Sequence, residues 1–472
     1  MSKFLRLIRN EWKKEFHKKT LWVMLIVLAL FAALFAALAS MEETSYDYYY
    51  SFEEMCEDEI AWNEEMLNDS GVSTEELDFY RINVECNRIM LEAEMDWNDW
   101  RYTLDLARLA VEAKYDGDTD TYEVLCRVIA DNDVDGYYAW QMRTYESVYA
   151  NDVARLRIYT DVVQYCIDNG LVPDPNTEPR YALILDMTEN RETVLEQERL
   201  KENGGAWSAS KLETAQNAVA IAAYQLENGV DVNPADSFDG DVLDGILYGE
   251  FTIKKTSSYW DAMAESVSML SLVSVFVIVL AGSTVANEFS AGTIKFLLIT
   301  PVRRWKILMS KYATMLLIGV MMCVVVWVMT MLSALMLGAG EAFLPAIFAE
   351  NGEIRLTSPY LLLLGNYLLA MLEIVVMATL AFAISALVRK SSAAVGITVA
   401  ADLMGSALSL VLMSLGFDWG RYLLFSNLDF VAIANGTSIY PHQSLVGAIV
   451  IVVLHMAVFL LTAYDAFVRR EV

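Results

Sequence analysis

Residues 21–39, 266–287 and 312–340 are apolar runs of 19, 22 and 29 residues without one charged side chain. A helix rising about 1.5 Å per residue needs about 20 residues to cross about 30 Å of hydrocarbon. In lipid, every backbone polar group must be paired within its own segment or a closed barrel. Runs of this kind therefore read as membrane-spanning helices. Three more follow, each with one ionisable residue: about 359–388 with Glu373, 391–417 with Asp402, and 443–464 with His455. Six spans result. Pro359 opens the fourth, where a first-turn proline is tolerated.

Composition matters because it conflicts with those runs. The chain of 472 residues is 56% hydrophobic yet carries 62 acidic and 34 basic residues, a net charge of −28. Residues 41–262 hold 49 acidic and 16 basic residues, a net of −33, and the remaining 13 acidic and 18 basic residues sum to +5. The acid is one block, inserted between the first and second spans. So acidic a surface argues against nucleic-acid binding, which needs basic contacts to phosphate. The apolar content argues against disorder.

Loop charge sets the expected orientation. Lys3, Arg6, Arg9, Lys13, Lys14, Lys18 and Lys19 precede the first span, and Lys295, Arg303, Arg304, Lys306 and Lys311 separate the second from the third. Arg389 and Lys390 follow the fourth, and Arg469 and Arg470 follow the sixth. All four groups fall on one side if both termini are cytoplasmic, as in a bacterial plasma membrane, which puts 41–262 outside the cell. Ala37-Leu38-Ala39 resembles a signal-peptidase site, but the apolar run before it exceeds the usual 7–15 residues. Phe4, Ile8, Trp12 and Phe16 recur every fourth residue among basic ones, predicting an amphipathic helix over 1–19 along the inner leaflet. Tyr46, Tyr48, Tyr49 and Tyr50 suit an outer aromatic belt. The expected division is 1–19 interfacial helix, 20–40 first span, 41–262 external helical domain and 263–472 spans two to six.

Two stripes predict long amphipathic helices in the block: Leu77 through Tyr80, Val84, Leu91, Met95, Tyr102 and Leu106 to Leu109, and Tyr138 through Met142, Tyr145, Tyr149, Leu156 and Tyr159 to Val163. The expected fold class is thus all-α. Cys56, Cys86, Cys126 and Cys166 permit two disulfides in three connectivities, or stay free in the core; their spacing does not suit zinc. Residues 131–136, with Asp131, Asp133 and Asp135, match the first half of a calcium loop, but Met142 stands where a bidentate glutamate belongs. A capped helix junction is the alternative. No P-loop, H-E-x-x-H or G-x-S-x-G occurs in the sequence, so neither ATP hydrolysis nor another enzymatic activity is expected on this chain.

The segment 288–311 carries a more specific pattern: Glu288, then Gly292-Thr293, Leu297-Leu298, Pro301, Arg303 and Lys311. Gly292 breaks the regular helix, Leu297 and Leu298 give a short helix an apolar face, and Pro301 ends it. The pattern resembles the membrane subunits of ABC-2-type transporters, and the six spans agree with that family. The resemblance implies that this turn is a coupling helix received by a separate ATP-binding subunit, which would hold ATP and magnesium. It also implies a second permease half, as a homodimer or with a related chain. Exporter activity by alternating access follows as an expectation. The competing one is a membrane-anchored external binding or sensing module without transport. Glu373, Asp402 and His455 are costly in hydrocarbon and read either as a polar translocation route or as interhelical hydrogen-bonding groups.

Overall fold

The computed structural model describes residues 3–40, 51–68, 72–235, 259–290, 292, 302–388, 390–441 and 443–469. Tyr46 and Tyr48 to Tyr50 lie outside them. The chain is mostly helical and divides into two units: Met1–Met41, Pro234–Ala346 and Thr357–Val472 in one, Glu42–Asn233 and Ile347–Leu356 in the other.

The apolar unit holds five helices long and apolar enough to cross a membrane: Tyr259–Ser290, Arg304–Met336, Pro359–Val388, Ser391–Ser414 and Leu445–Val468. A sixth arises where Phe4–Phe16 and Lys19–Leu34 form a pair bent by 73°. The bend separates the basic amphipathic helix from the apolar one, and the Trp22 Nε1–H donates to the Phe16 carbonyl at 2.9 Å across it. Leu21, Met24, Leu28 and Ala32, spaced by threes and fours, form the buried stripe of the apolar partner, which packs on Arg304–Gly338.

Leu270–Thr284 is the central helix, in contact with Arg304–Gly338, Pro359–Val388 and Ser391–Ser414. Small residues let the backbones approach. A Cβ on Gly282 would stand 3.0 Å from the Val395 side chain, and one on Gly319 3.3 Å from Val277. The long helix Tyr259–Ser290 is interrupted at residues 266–269 and again at Val285. Between Tyr259–Glu265 and Leu270–Thr284, residues 266–269 form turns, with the Val267 and Ser268 N–H groups reaching only three residues back, to Ala264 and Glu265. Before the last span the chain folds into short turns and the helix Phe430–Asn435, whose N-terminus Asp429 caps by accepting from the Ala432 N–H at 2.9 Å.

The acidic unit is a series of antiparallel helix pairs: Phe52–Leu67 with Thr74–Glu92, Leu106–Tyr115 with Thr119–Asp131, Val134–Val148 with Val153–Asn169, and Pro179–Glu202 with Ala209–Asn228. Part of its acid is explained locally. Ser51 with Glu54 and Ser73 with Glu76 form capping boxes, and Asp118, Asp133 and Asp152 each accept a first-turn N–H, where a negative group also suits the helix dipole. The two predicted long helices are each split. The first breaks between Glu92 and Leu106, where Glu94 and Asp105 adopt φ of 50° and 51°; the second breaks at residues 149–152. A stripe of threes and fours cannot tell one long helix from two that share a core.

One small feature departs from the all-α expectation. The described residues are not purely helical: Ala346–Glu350 and Glu353–Thr357 pair as a two-stranded sheet. Asn351 and Gly352 turn it with φ of 54° and 77°, the left-handed pair that a two-residue hairpin loop requires. This hairpin belongs to the acidic unit. The Asn233 side chain exchanges two hydrogen bonds with the Ile347 backbone at 3.1 and 2.9 Å, and the Gly352 N–H donates to Asn217 Oδ1 at 2.8 Å. The first stretch of the acidic unit ends at Asn233, and Tyr259 and Trp260 are buried in the apolar unit's core.

Of the two states open to the external cysteines, the structure holds the free one: Cys56, Cys86, Cys126 and Cys166 are all free thiols. They lie on four different helices, three of them buried among apolar side chains of one core. Burial pushes the Cys56 thiol up to about 11 and the Cys86 thiol up to about 12.

Candidate functional site

The helix that ends at Ser290 and the one that begins at Arg304 bring Glu288 and Lys311 together. Lys311 is buried, with 2% of its side chain exposed, and its Nζ donates to Glu288 Oε1 at 3.0 Å and to Glu11 Oε2 at 2.9 Å. The exposed Lys14 donates to the same Glu288 oxygen. Two lysines thus face two glutamates, from three segments, the first of which lies nearly 300 residues before the other two. A buried ammonium is tolerated only when paired and hydrogen-bonded, and here both carboxylates come from other segments. Alongside, the Ala286 N–H donates to Ser385 Oγ at 2.9 Å, and Tyr312 shares a 2.7 Å hydrogen bond with Thr379.

Gly292 has a φ of 68° and its N–H closes on the Phe289 carbonyl. That left-handed position ends the helix and suits glycine. Arg303 is exposed just before the next helix. Thr293, Leu297, Leu298 and Pro301 lie outside the described residues. Glu11 was not legible as a site residue. Its signal was weak: with Glu15, it is one of two acids in an otherwise basic helix.

Residues 244–472 match the family model described as "Protein of unknown function (DUF2705)". The "Uncharacterized protein YhcI" of Bacillus subtilis is 31% identical over 229 residues, covering 47% of this chain and 72% of that protein. The chain belongs to this family. The "Uncharacterized membrane protein YdbK" of the same organism is 30% identical over 207 residues, 43% of this chain and 80% of its own length. No solved structure matches. With its membrane-length helices, this DUF2705 chain is a multi-pass membrane protein. Glu288 and Lys311 fall within the DUF2705 region, and Glu11 and Lys14 precede it.

The DUF2705 region also contains a cavity of about 260 Å³, lined by Glu265, Asn366, Glu373, Asp429, Phe430 and Asn435 among others. Of the three ionisable residues read inside the runs, only Glu373 lines it. Asp402 is half-buried on Ser391–Ser414, and the His455 ring lies 2.8 Å from the Ile451 carbonyl one turn back. Glu265 and Asp429 escape a search for charges inside apolar runs because Glu265 directly precedes one and Asp429 lies in the loop between two others.

The acidic unit has its own cleft of about 610 Å³, whose lining residues lie outside the matched DUF2705 region. Trp97 and Tyr102 supply its aromatic wall, and Asn83 and Arg108 its polar one. Arg108 donates to Asn83 Oδ1 at 3.2 Å and pairs with Asp105 at 3.1 Å. The suspected calcium loop is occupied by local bonds. Asp131 ends a helix, Asn132 Oδ1 accepts from the Trp100 ring N–H at 2.7 Å, and Asp133 Oδ1 accepts from the Gly136 N–H at 2.9 Å. Asp135 and Gly136 lie within the next helix. Among the described residues no three His, Cys, Asp or Glu side chains are gathered to hold a metal ion.

Proposed function

We propose that the chain is the membrane subunit of an ATP-driven exporter of the ABC-2 type, paired with a separate ATP-binding subunit and a second permease half. The observation that carries this reading is the Lys311 bridge from Glu288 to Glu11. It ties the amphipathic helix to both helices that flank the segment 291–301. A push on that segment moves one body rather than a loose loop, which is what transmission from a nucleotide-binding partner needs. ATP and magnesium belong to that partner.

The topology is argued from parity. Glu11 and Glu288 meet at Lys311 and are separated by two membrane-length helices. Asn233 and Ile347 also meet, and two such helices separate them, one of which, Tyr259–Ser290, is common to both intervals. Each meeting suits an even number of crossings, with cytoplasmic termini in a bacterial plasma membrane and the acidic unit outside. Gly292→Arg and Leu297→Arg test the reading. Both should abolish co-purification with an ATP-binding cassette protein encoded beside this chain, and loss of stimulated ATPase should follow. Unchanged association and stimulation in both variants would overturn it. The cleft in the acidic unit favours a second reading, a membrane-held binding or sensing module. Ligand capture by that unit with no ATPase partner would support it.

A further inference from the structure

We propose that the cavity around Glu373 binds the ammonium group of an organic cation with an apolar body. Three carboxylates, Glu265, Glu373 and Asp429, line it, and among the described residues its lining contains no Lys, Arg or His. Among the described residues Glu373 has no hydrogen-bond or ion-pair partner, and the charges acting on it, Asp429 and Asp402, share its sign. A carboxylate in a membrane core is retained when it faces a polar route or a partner, and this one faces the cavity. Phe430 and its aliphatic neighbours supply an apolar wall, and Asn366 and Asn435 supply amides.

The backbone points the same way. The turn at 266–269 interrupts a membrane-length helix where that helix lines the cavity, and the short helix Phe430–Asn435 borders the other side. Broken helices beside a polar cavity are how membrane transporters place backbone groups around a bound substrate. The volume of about 260 Å³, and the fact that among the described residues no three His, Cys, Asp or Glu side chains are gathered closely enough to hold a metal ion, favour an organic cation over a bare metal. An aromatic ring beside carboxylates suits an ammonium, which is drawn to both.

As the cargo site of an exporter this inference rests on the coupling reading; as a binding site it does not. The test therefore measures binding to the full chain alone, in phosphatidylglycerol nanodiscs, with benzyltrimethylammonium as probe and benzenesulfonate as its anionic counterpart. Sodium chloride at about 0.5 M screens attraction to the acidic surface. The cation should bind saturably and the anion should not. Glu373→Gln should weaken binding at least tenfold, and so should Asp429→Asn, in which asparagine keeps the helix cap. Glu57→Gln, in the acidic unit, should change nothing. Repeating the titration with phosphatidylethanolamine present separates two sources of the ammonium. Weaker apparent binding marks a lipid headgroup, and unchanged binding marks a free amine, each supporting the site. Equal affinity for cation and anion, or full affinity in both cavity variants, would overturn it.

Discussion

Lys311 Nζ lies 3.0 Å from Glu288 Oε1, and the two residues close the ends of helices whose connecting segment holds Gly292. The pair is buried, so its energetics differ from those of a surface ion pair. Replacing Lys311 with Met leaves the Glu288 and Glu11 carboxylates without their buried cation, and breaking such a pair costs about 3–5 kcal/mol. Lys311→Met should therefore lower the thermal midpoint of the detergent-solubilised protein sharply. Adding Glu288→Gln should recover part of the loss, since contacting residues couple by about 0.5–3 kcal/mol. Strict additivity in this double-mutant cycle would show that the pair contributes nothing.

Gly405 and Gly396 share the helix Ser391–Ser414 but not an environment. A Cβ on Gly405 would fall 2.2 Å from the Phe425 ring, whereas one on Gly396 meets nothing within 4 Å. Gly405→Ala should destabilise by about 1–3 kcal/mol through overpacking. Gly396→Ala should be neutral or stabilise by about 0.5–1 kcal/mol, because alanine favours the helix. Matching thermal midpoints for the two variants would contradict the contact with Phe425.

The free thiols make a chemical prediction. With burial holding Cys56 and Cys86 up at about 11 and about 12, almost no thiolate forms at pH 8. Iodoacetamide should label the less buried Cys126 first and Cys56, Cys86 and Cys166 only after denaturation, as mass spectrometry of peptides would show. A shift in gel mobility on adding reductant would instead reveal a disulfide.

Asp152 gives a pH dependence of known sign. The Arg199 guanidinium, at 2.7 and 2.5 Å, and then the Arg155 N–H hold its carboxyl well below the usual carboxylate range. A depressed folded-state value means the contribution is complete above the unfolded value of about 3.9 and fades as pH falls through the folded one. The difference in thermal midpoint between wild type and Asp152→Asn should stay constant from pH 7 to 5 and shrink only below about pH 4. A difference that vanishes near pH 6 would assign the effect to another group.

The spans were legible because hydrocarbon accepts few conformations, so apolar length alone specifies a helix. The amphipathic start was legible for a related reason: Phe4, Ile8, Trp12 and Phe16 recur at a helical period. Lys311 itself was legible from its place in a motif. Its contact with Glu11 was not, since a pairing across 300 residues leaves no local pattern. The hairpin did leave one, Asn351-Gly352, in a loop too short to attract a strand reading. Asp429 was passed over because, in the loop between two apolar runs, it looks like an ordinary loop acid. Only the fold shows it beside Glu373.

Asn233 and Ile347 carry a practical consequence for anyone who would isolate the acidic unit. That unit is stitched from two stretches of chain with membrane-length helices between them. Expressing 42–233 alone would strip Asn233 and Asn217 of their backbone partners. A faithful excision splices 347–356 back on through a linker, and a swap with a homologue's unit must exchange both pieces together.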